Sequence, residues 1–453
     1  MPPSAVPSPE GPLPLTRAAW RLELRGPGHS QVTGLATQSR DILAVGSFEG
    51  ETTLGGQRLV SSGQQDVFVA RIDPAGLVRW VRHWGGPGDD LGDAVVAGAQ
   101  GSFLVTGGLS ETVDIGGALL PGGGGQDCFI AKLALEDGHP QWVRRFGGTG
   151  DSVCRSAAFD GSGDVLVTGR FTGQVELGSK TWNSAGLNDL FLLKLSGQDG
   201  TLRWARVFGG PGEDTGRDVA VDTAGTVFIT GDFSQGVEPS VGTVDFGTGR
   251  LTSSGDADAF LAAFSGEGRG LWARAIGGPN FDLSKSVVPA QDGSLYLTGL
   301  FQRDVPHQPG QLFFTLGGFE GFVARYSSRG EELWRRHYPT MTSGHALAPM
   351  PFGALAMVGH FTSTLDLGEG RKLRSAGKND VVVALFGADG EVRWAHHLGG
   401  PGQDFGYAVT SIAEGVVAGG MSTEVMETNA GTGSTHGFIT LLPLQHRPGP
   451  DWR

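Results

Sequence analysis

The chain has 453 residues, including 78 glycines, and 39% of its residues are hydrophobic while 18% are charged. This apolar content excludes a disordered low-complexity chain, and the glycines indicate many turns between short apolar runs. The net charge of −13 argues against nucleic acid and acidic membrane surfaces as partners.

The chain opens on residues 1–15, a Pro-rich segment that we expect to be a flexible lead-in. One domain is predicted at 16–444, followed by a tail at 445–453. The opening sequence, MPPSAVPSPEGPLPL, lacks the basic and apolar stretches of an export signal. No run approaches about 18 apolar residues, so no transmembrane segment is expected. The first strand is predicted within TRAAWRLELRG, residues 16–26.

Seven copies of one unit fill the domain, and four columns of residues mark them. A tryptophan recurs at Trp20, Trp80, Trp142, Trp204, Trp272, Trp334 and Trp394. A glycine recurs at Gly46, Gly107, Gly169, Gly231, Gly299, Gly359 and Gly419. Two residues later stands a large apolar residue, at Phe48, Leu109, Phe171, Phe233, Phe301, Phe361 and Met421. An acid opens the next apolar run at Asp66, Asp127, Asp189, Asp258, Glu320 and Asp380, with His436 in the last copy.

Each copy contains four short runs that are typical of strands. In the fourth copy they are RDVAVD (217–222), TVFITGDF (226–233), DAFLAAFS (258–265) and GLWARAIGG (270–278). Their β-branched and aromatic residues, bounded by Gly, Asp and Ser, favour strands. Repeated seven times, this pattern predicts an all-β fold, a seven-bladed β-propeller of four-stranded antiparallel blades. The chain begins on a fourth-type strand and ends on a third-type one, so the N-terminal strand should complete the last blade.

The columns have structural explanations. The tryptophan is predicted to pack between neighbouring blades. The glycine is predicted either to let backbones pack closely or to mark a bulge. The acid is expected to accept backbone hydrogen bonds where its strand begins. Two cysteines, Cys128 and Cys154, are interpreted as small buried residues rather than a disulfide framework.

The repeat resembles the bacterial seven-bladed β-propeller repeat family, the SBBP repeats. DVFVARIDPAGLVRW (66–80) and VAVDTAGTVFITG (219–231) carry the resemblance, which extends over about residues 16–444. The resemblance implies a propeller and a secreted or cell-envelope protein of uncharacterised role. It brings no catalytic residues, and the missing export signal departs from the family's pattern.

One face of the propeller is predicted to carry function. Turns between first and second strands and between third and fourth strands are short, whereas the other two classes of connection are longer and share the opposite face. We call the latter the long-loop face, and long variable loops on a rigid scaffold favour binding there. Acids of its long loops are Glu111, Asp114, Glu176, Glu238, Asp245, Asp256, Asp366 and Glu369. The side chains after the recurrent glycine, which lead to this face, are Ser47, Gly108, Arg170, Asp232, Leu300, His360 and Gly420.

The candidate binding residues come from these loops and strand ends. They are Asp89, Asp90, Asp151, Arg170, Trp182, Glu213, Asp214, Asp232, Asp282, His360 and Asp404. Trp182 is the candidate for stacking on a sugar.

Glycine-rich corners such as FGGPGED (208–214) resemble half of a calcium-binding nonapeptide. That motif works as stacked tandem turns, and these corners recur once per blade, so the sequence favours plain corners and no cofactor. The alternative is Ca²⁺ held by Asp90, Asp214, Asp282 and Asp404, although calcium needs six to eight oxygen ligands.

The function favoured by the sequence is a non-catalytic, monomeric binding propeller whose acidic face recognises a protein or a glycan. The alternative is a structural cell-envelope propeller with calcium at its corners. An enzyme, a hydrolase or lyase with its site on the same face, is less favoured because no nucleophile elbow or zinc motif is present. An enzyme would show a confined pocket with a strongly perturbed acid or histidine.

Overall fold

The computed structural model of the chain describes residues 18–99, 101–123, 125–236, 241–303, 318–423 and 434–444. These residues form seven four-stranded antiparallel sheets, the blades of a propeller, and one 3-10 helix at Pro351–Gly353. The predicted all-β, seven-bladed architecture is confirmed. Among the described residues, no helix is long and apolar enough to cross a membrane.

Strand numbers follow the chain, and the strands of each blade succeed one another from the innermost to the outermost position. Blade 1 contains β2 (Ser30–Gln38), β3 (Asp41–Leu54), β4 (Gln57–Ile72) and β5 (Val78–Trp84). Blade 2 contains β6 (Leu91–Ala97), β7 (Ser102–Ser110), β10 (Gln126–Ala134) and β11 (Pro140–Phe146). Blade 3 contains β12 (Ser152–Phe159), β13 (Val165–Phe171), β16 (Asp189–Leu195) and β17 (Leu202–Phe208). Blade 4 contains β18 (Asp214–Val221), β19 (Val227–Ser234), β22 (Ala257–Phe264) and β23 (Gly270–Ile276).

Blade 5 contains β24 (Asp282–Pro289), β25 (Leu295–Gln302), β26 (Phe319–Tyr326) and β27 (Glu332–Tyr338). Blade 6 contains β28 (Met341–Pro349), β29 (Leu355–Phe361), β32 (Asp380–Phe386) and β33 (Val392–Leu398). Blade 7 contains β34 (Asp404–Ile412), β35 (Gly415–Thr423), β36 (Thr435–Pro443) and the N-terminal β1 (Trp20–Glu23). Apolar side chains of facing sheets form the core between blades, as Leu43 and Val105 do between blades 1 and 2.

The ring is closed by the N-terminal strand, as predicted. β1 pairs antiparallel with β36, with Trp20 opposite Leu441, and the innermost strands β34 and β2 pack together. This pairing covers the edge that β36 would otherwise expose. The predicted terminal segments 1–15 and 445–453 lie outside the described residues.

The tryptophan column packs between blades, which confirms the prediction, and its indole N–H adds a bond to the next blade. Trp80 Nε1 donates to the Leu135 carbonyl at 3.1 Å, and Trp142 Nε1 donates to the Gly197 carbonyl at 3.2 Å. Trp20 Nε1 donates to the Pro74 carbonyl at 2.9 Å, which links blade 7 to blade 1. A buried indole needs such an acceptor.

The acidic column accepts backbone hydrogen bonds, also as predicted. Asp66 and Asp189 each accept the N–H of the residue four positions earlier at 3.1 Å, and Asp258 does so at 3.0 Å. Asp127 instead forms an ion pair with Arg145. These acids therefore hold the ends of the long loops.

Long loops and glycine-rich corners do share one face. The N–H of Asp214 in a corner donates to the Asn188 carbonyl in a neighbouring long loop at 2.9 Å, and Asp404 does the same to Asn379. Four long loops form small hairpins: β8–β9 (Val113–Ile115, Ala118–Leu120), β14–β15 (Gln174–Leu177, Lys180–Asn183), β20–β21 (Thr243–Asp245, Arg250–Thr252) and β30–β31 (Thr364–Asp366, Lys372–Arg374). On the opposite face Asp73 and Asp222 cap uniform turns by accepting the N–H two residues later at 2.9 Å.

The interpretation of the cysteines as two unpaired buried residues is wrong. Cys128 on β10 and Cys154 on β12 form a disulfide, with their Cα atoms 4.8 Å apart, and both are fully buried. The bond joins blade 2 to blade 3. Sequence spacing does not reveal it because the two strands become neighbours only when blades stack side by side.

Candidate functional site

Every innermost strand contains a β-bulge at the same place, and the seven bulged residues line the central channel. In blade 3, Cys154 pairs with Gly169 and Ser156 pairs with Thr168, so Arg155 has no partner on the neighbouring strand. A bulge of this kind re-aims one side chain. We call the bulged residues the channel ring: Thr33, Asp93, Arg155, Arg217, Lys285, His345 and Tyr407.

The recurrent glycine makes the bulge possible. A Cβ on Gly169 would lie 1.9 Å from the Val153 carbonyl oxygen, and a Cβ on Gly231 would lie 1.8 Å from that of Thr215. Both predicted explanations, close backbone approach and a bulge, therefore hold together.

The glycine column is off by one residue in the seventh copy. Gly420, not Gly419, pairs with Gly406 at the bulge, so Met421 is the side chain that follows the glycine. Because Gly419 and Gly420 are adjacent, the sequence pattern does not show which of them lies at the bulge.

The channel ring encloses a cavity of about 400 Å³, to which all seven blades contribute. Its side chains differ from blade to blade in size and charge, although the backbone around them repeats.

Positive charge dominates this ring. Arg155 pairs with Asp93 at 2.9 Å, and Arg217 pairs with Asp232 on β19. Lys285 Nζ lies 2.9 Å from Nε2 of His345, which is an uncharged contact. Among the described residues, no carboxylate oxygen lies within 4.0 Å of Lys285 or of Arg170 on β13.

Burial and mutual repulsion lower the pKa values of the basic groups. Burial, and then the Arg217 guanidinium, lowers the pKa of Lys285 to about 7, against a weaker attraction to Asp232. Burial and the nearby Lys285 ammonium hold the pKa of His345 well below its usual range. The same two causes lower the pKa of His360 to about 3. Both imidazoles are therefore neutral at neutral pH.

Three of the predicted site residues lie beside the ring. Asp232 pairs with Arg217, and the His360 ring is tilted against that of His345 with centres 5.1 Å apart. Burial, followed by the Arg155 guanidinium, lowers the pKa of Arg170. The sequence missed Arg155, Arg217, Lys285, His345 and Tyr407. Their signal is a polar or bulky residue three positions after the corner residue, as from Asp282 to Lys285.

Four other predicted residues, the corner acids, are buried rather than displayed. They are Asp90, Asp214, Asp282 and Asp404, and they are 0–4% exposed. Each accepts the N–H of the residue four positions earlier in its own corner, as Asp214 does from Gly210 at 2.7 Å. Burial raises the pKa of Asp214 to about 8 and that of Asp90 and Asp282 to about 6. These carboxyls shape the corners and leave no surface for a partner.

The remaining predicted residues lie at the surface. Asp151 and Glu213 are exposed and Asp89 is half-buried on the long-loop face. Trp182 on β15 is half-buried and packs against the core of blade 3. The ammonium of Lys180 lies 3.3 Å from the centre of its ring, so a sugar would have to displace it.

We propose that the corners are structural and do not hold calcium. One oxygen of each corner carboxyl accepts a backbone N–H of its own corner, as Oδ2 of Asp214 does from Gly210. A carboxyl with a pKa of about 8, such as that of Asp214, is largely protonated at neutral pH, which disfavours it as a calcium ligand. Among the described residues, no three acidic, histidine or cysteine side chains form a metal-binding group. We expect the thermal midpoint to be the same in EDTA and in millimolar calcium. A rise of several degrees in calcium would contradict this, since a ligand of the native state raises the midpoint.

Comparison with protein-family models and with curated protein sequences gives no match. Solved structures with a similar course of the chain include the WD40 domain of Neurospora crassa Pan2, at 9% identity and a TM-score of 0.47, covering 92% of this chain and 91% of that one. The WD40 β-propeller domain of Doa1 is similar at 13% identity and a TM-score of 0.44, with 94% of this chain and 95% of that one covered. A quinohemoprotein alcohol dehydrogenase, ADHIIG from Pseudomonas putida HK5, is similar at 11% identity and a TM-score of 0.44, with 96% of this chain and 78% of that one covered.

Proposed function

We propose that this protein is a monomeric, non-catalytic interaction propeller whose long-loop face binds a protein with a basic surface. The observation that carries the proposal is the acidic rim of that face. Its exposed carboxylates are Glu111, Asp114, Asp151, Glu176, Glu213, Asp245, Asp256, Asp366 and Glu369. Asp366 pairs with Lys372 and Glu369 with Arg371, and the other seven acids form no ion pair among the described residues. Their negative charge would steer an oppositely charged partner and select against others.

The difference between the two faces supports the same function. Hydrogen bonds from tryptophan indoles to backbone carbonyls and repeated tight turns occupy the face opposite the long-loop face. Hairpins of differing sequence project from the long-loop face itself. A glycan is less favoured as the ligand because Lys180 already covers Trp182. Membership of the SBBP family and an extracellular or envelope location are part of this proposal, and the buried disulfide supports the location, since such bonds persist in oxidising compartments.

A paired charge reversal tests the role of the rim. We expect Asp151→Lys with Glu213→Lys to lower capture of the partner from an extract of the source cells by about tenfold, because both exposed carboxylates become repulsive. The matched control is Glu136→Lys with Glu267→Lys, two exposed carboxylates on short turns of the opposite face, which changes the net charge equally. Equal capture by both variants would argue against the rim, and equal thermal midpoints would show that both fold.

Catalysis is the second candidate, because Lys285 and His345 lie together in a cavity with strongly lowered pKa values. An unprotonated lysine amine can act as a nucleophile or a base. Selective acylation of Lys285 by a limiting amount of acetic anhydride at neutral pH would favour this candidate. Acetylation spread over the exposed lysines would leave the non-catalytic function as the better one.

A further inference from the structure

The channel ring contributes three basic side chains to one end of the channel, and a fourth lies beside the ring. Arg155, Arg217 and Lys285 come from the innermost strands of three consecutive blades, and Arg170 lies on the second strand of the first of these. Each bulge lies three residues from the strand end that meets the long-loop face. The basic cluster is therefore close to the mouth that opens on that face.

The carboxylates around the cluster form ion pairs with only two of its four cations. Asp93 is engaged by Arg155 and Asp232 by Arg217, which leaves Lys285 and Arg170 without an ion pair among the described residues. Asp93, and from the exposed rim Glu213 and Asp151, attract Arg170 without forming an ion pair with it. Asp218 accepts hydrogen bonds from Ser156 at 2.7 Å and from the N–H of Val287 at 2.8 Å, and is occupied between blades.

Like charges held together in a confined cavity repel one another, and this repulsion is unfavourable unless opposite charge is present to compensate for it. Arg217 repels Lys285, and Arg155 and Arg217 repel Arg170. An anion in the channel would replace this repulsion with charge-assisted hydrogen bonds, which are about twice as strong as neutral ones. The guanidinium groups suit the paired oxygens of a carboxylate or phosphate.

We infer that the channel ring binds a small organic or inorganic anion, one bearing carboxylate or phosphate groups, through Lys285, Arg217 and Arg155, which line its cavity, with Arg170 beside them. The cavity of about 400 Å³ suits a small molecule. The His345 ring meets the Tyr407 ring edge-on with centres 5.0 Å apart, and the His360 ring is tilted against that of His345. Tyr407 and the neutral His345 offer hydrogen-bonding and apolar surface for the uncharged part of such a molecule. This site lies inside the acidic rim and does not depend on the protein partner proposed for it.

Calorimetric titration with citrate and with inorganic phosphate at constant ionic strength tests the site. We expect one of the two probes to bind with one-to-one stoichiometry. Lys285→Met and Arg170→Met should each weaken that binding at least about tenfold. Each substitution removes a cation that has no ion pair among the described residues and keeps an unbranched apolar side chain in its place. Lys378→Met is the matched control, since Lys378 is exposed on the same face but outside the channel.

Proton uptake provides a second, independent measurement. Lys285 faces Arg217, Asp232, His345 and His360, and with its lowered pKa it is largely neutral at about pH 8.5. Binding of an anion should then protonate it, so the wild type should take up close to one proton and Lys285→Met should take up none. Measurement in two buffers of different ionisation enthalpy gives this number.

Three outcomes would overturn the inference. They are no saturable binding of either probe up to about 10 mM, equal affinity in wild type and Lys285→Met, or binding of an acidic peptide such as penta-glutamate with neither small probe. The last would assign the cluster to an acidic segment of a protein, which is a different partner from the basic one proposed for the rim. Asp151→Lys with Glu213→Lys should retain citrate or phosphate binding, so the rim and the channel can fail separately.

Discussion

We expect Gly169→Ala to lower the free energy of unfolding by about 3 kcal/mol, a large effect for one methyl group. The added Cβ would lie 1.9 Å from the Val153 carbonyl oxygen, and backbone on both sides of the contact is held by strand pairing. Relief of the clash requires β12 to move at its bulge, which also displaces Arg155. Chemical denaturation measures the stability, and citrate or phosphate binding should weaken in parallel.

Gly161→Ala is the control in the same blade. Gly161 lies in the turn between β12 and β13, and a Cβ there has no atom within 4 Å. Its effect should stay within about 0.5 kcal/mol. Equal stability of the two variants would mean that the glycine column does not shape the bulges.

Reduction of the Cys128–Cys154 disulfide should lower the free energy of unfolding by about 3 kcal/mol, because the bond restricts the unfolded chain. The two cysteines are 26 residues apart in sequence, and the bond joins two blades directly beside Arg155. Denaturation with and without a phosphine reductant measures the difference. Because the bond is buried, reduction should be carried out at a denaturant concentration that allows the protein to open.

The double variant Cys128→Ala with Cys154→Ala distinguishes the effect of losing the disulfide from other effects of the reductant on stability. It should be as unstable without reductant as the reduced wild type, and the reductant should not change it further. Identical denaturation midpoints for oxidised and reduced wild type would contradict a stabilising disulfide. Thiol quantification under denaturing conditions shows directly whether the two sulfurs are bonded.

Much of the fold could be predicted because each copy of the repeat contains the local sequence features that specify its strands and turns. Strand-forming runs, turn glycines and the anchor tryptophan recur in each copy, and each blade is one such unit. The strand types at the two ends also implied that β1 completes blade 7, which its pairing with β36 bears out. The roles of Trp80 and Asp66 followed from their side-chain chemistry, which is the same in every blade.

The candidate site was only partly predictable. Arg170, Asp232 and His360 attracted notice because they vary after a constant glycine, and they do lie beside the channel. Asp90 and Asp214 looked like surface acids because glycine-rich corners are usually exposed, yet both are fully buried. Burial depends on packing of one blade against the next, which no single repeat encodes.

The amino-acid sequence by itself determined the number of blades, the way the ring closes and which face carries the variable loops, because strand pattern and turn chemistry are local. Only the tertiary structure decided the disulfide and the charge of the channel. Arg155, Arg217 and Lys285 are more than 60 residues apart from one to the next, and closure of the ring brings them around one axis. A bulge, invisible in the strand pattern, aims each of them inward, so a chain with a net charge of −13 has a basic centre.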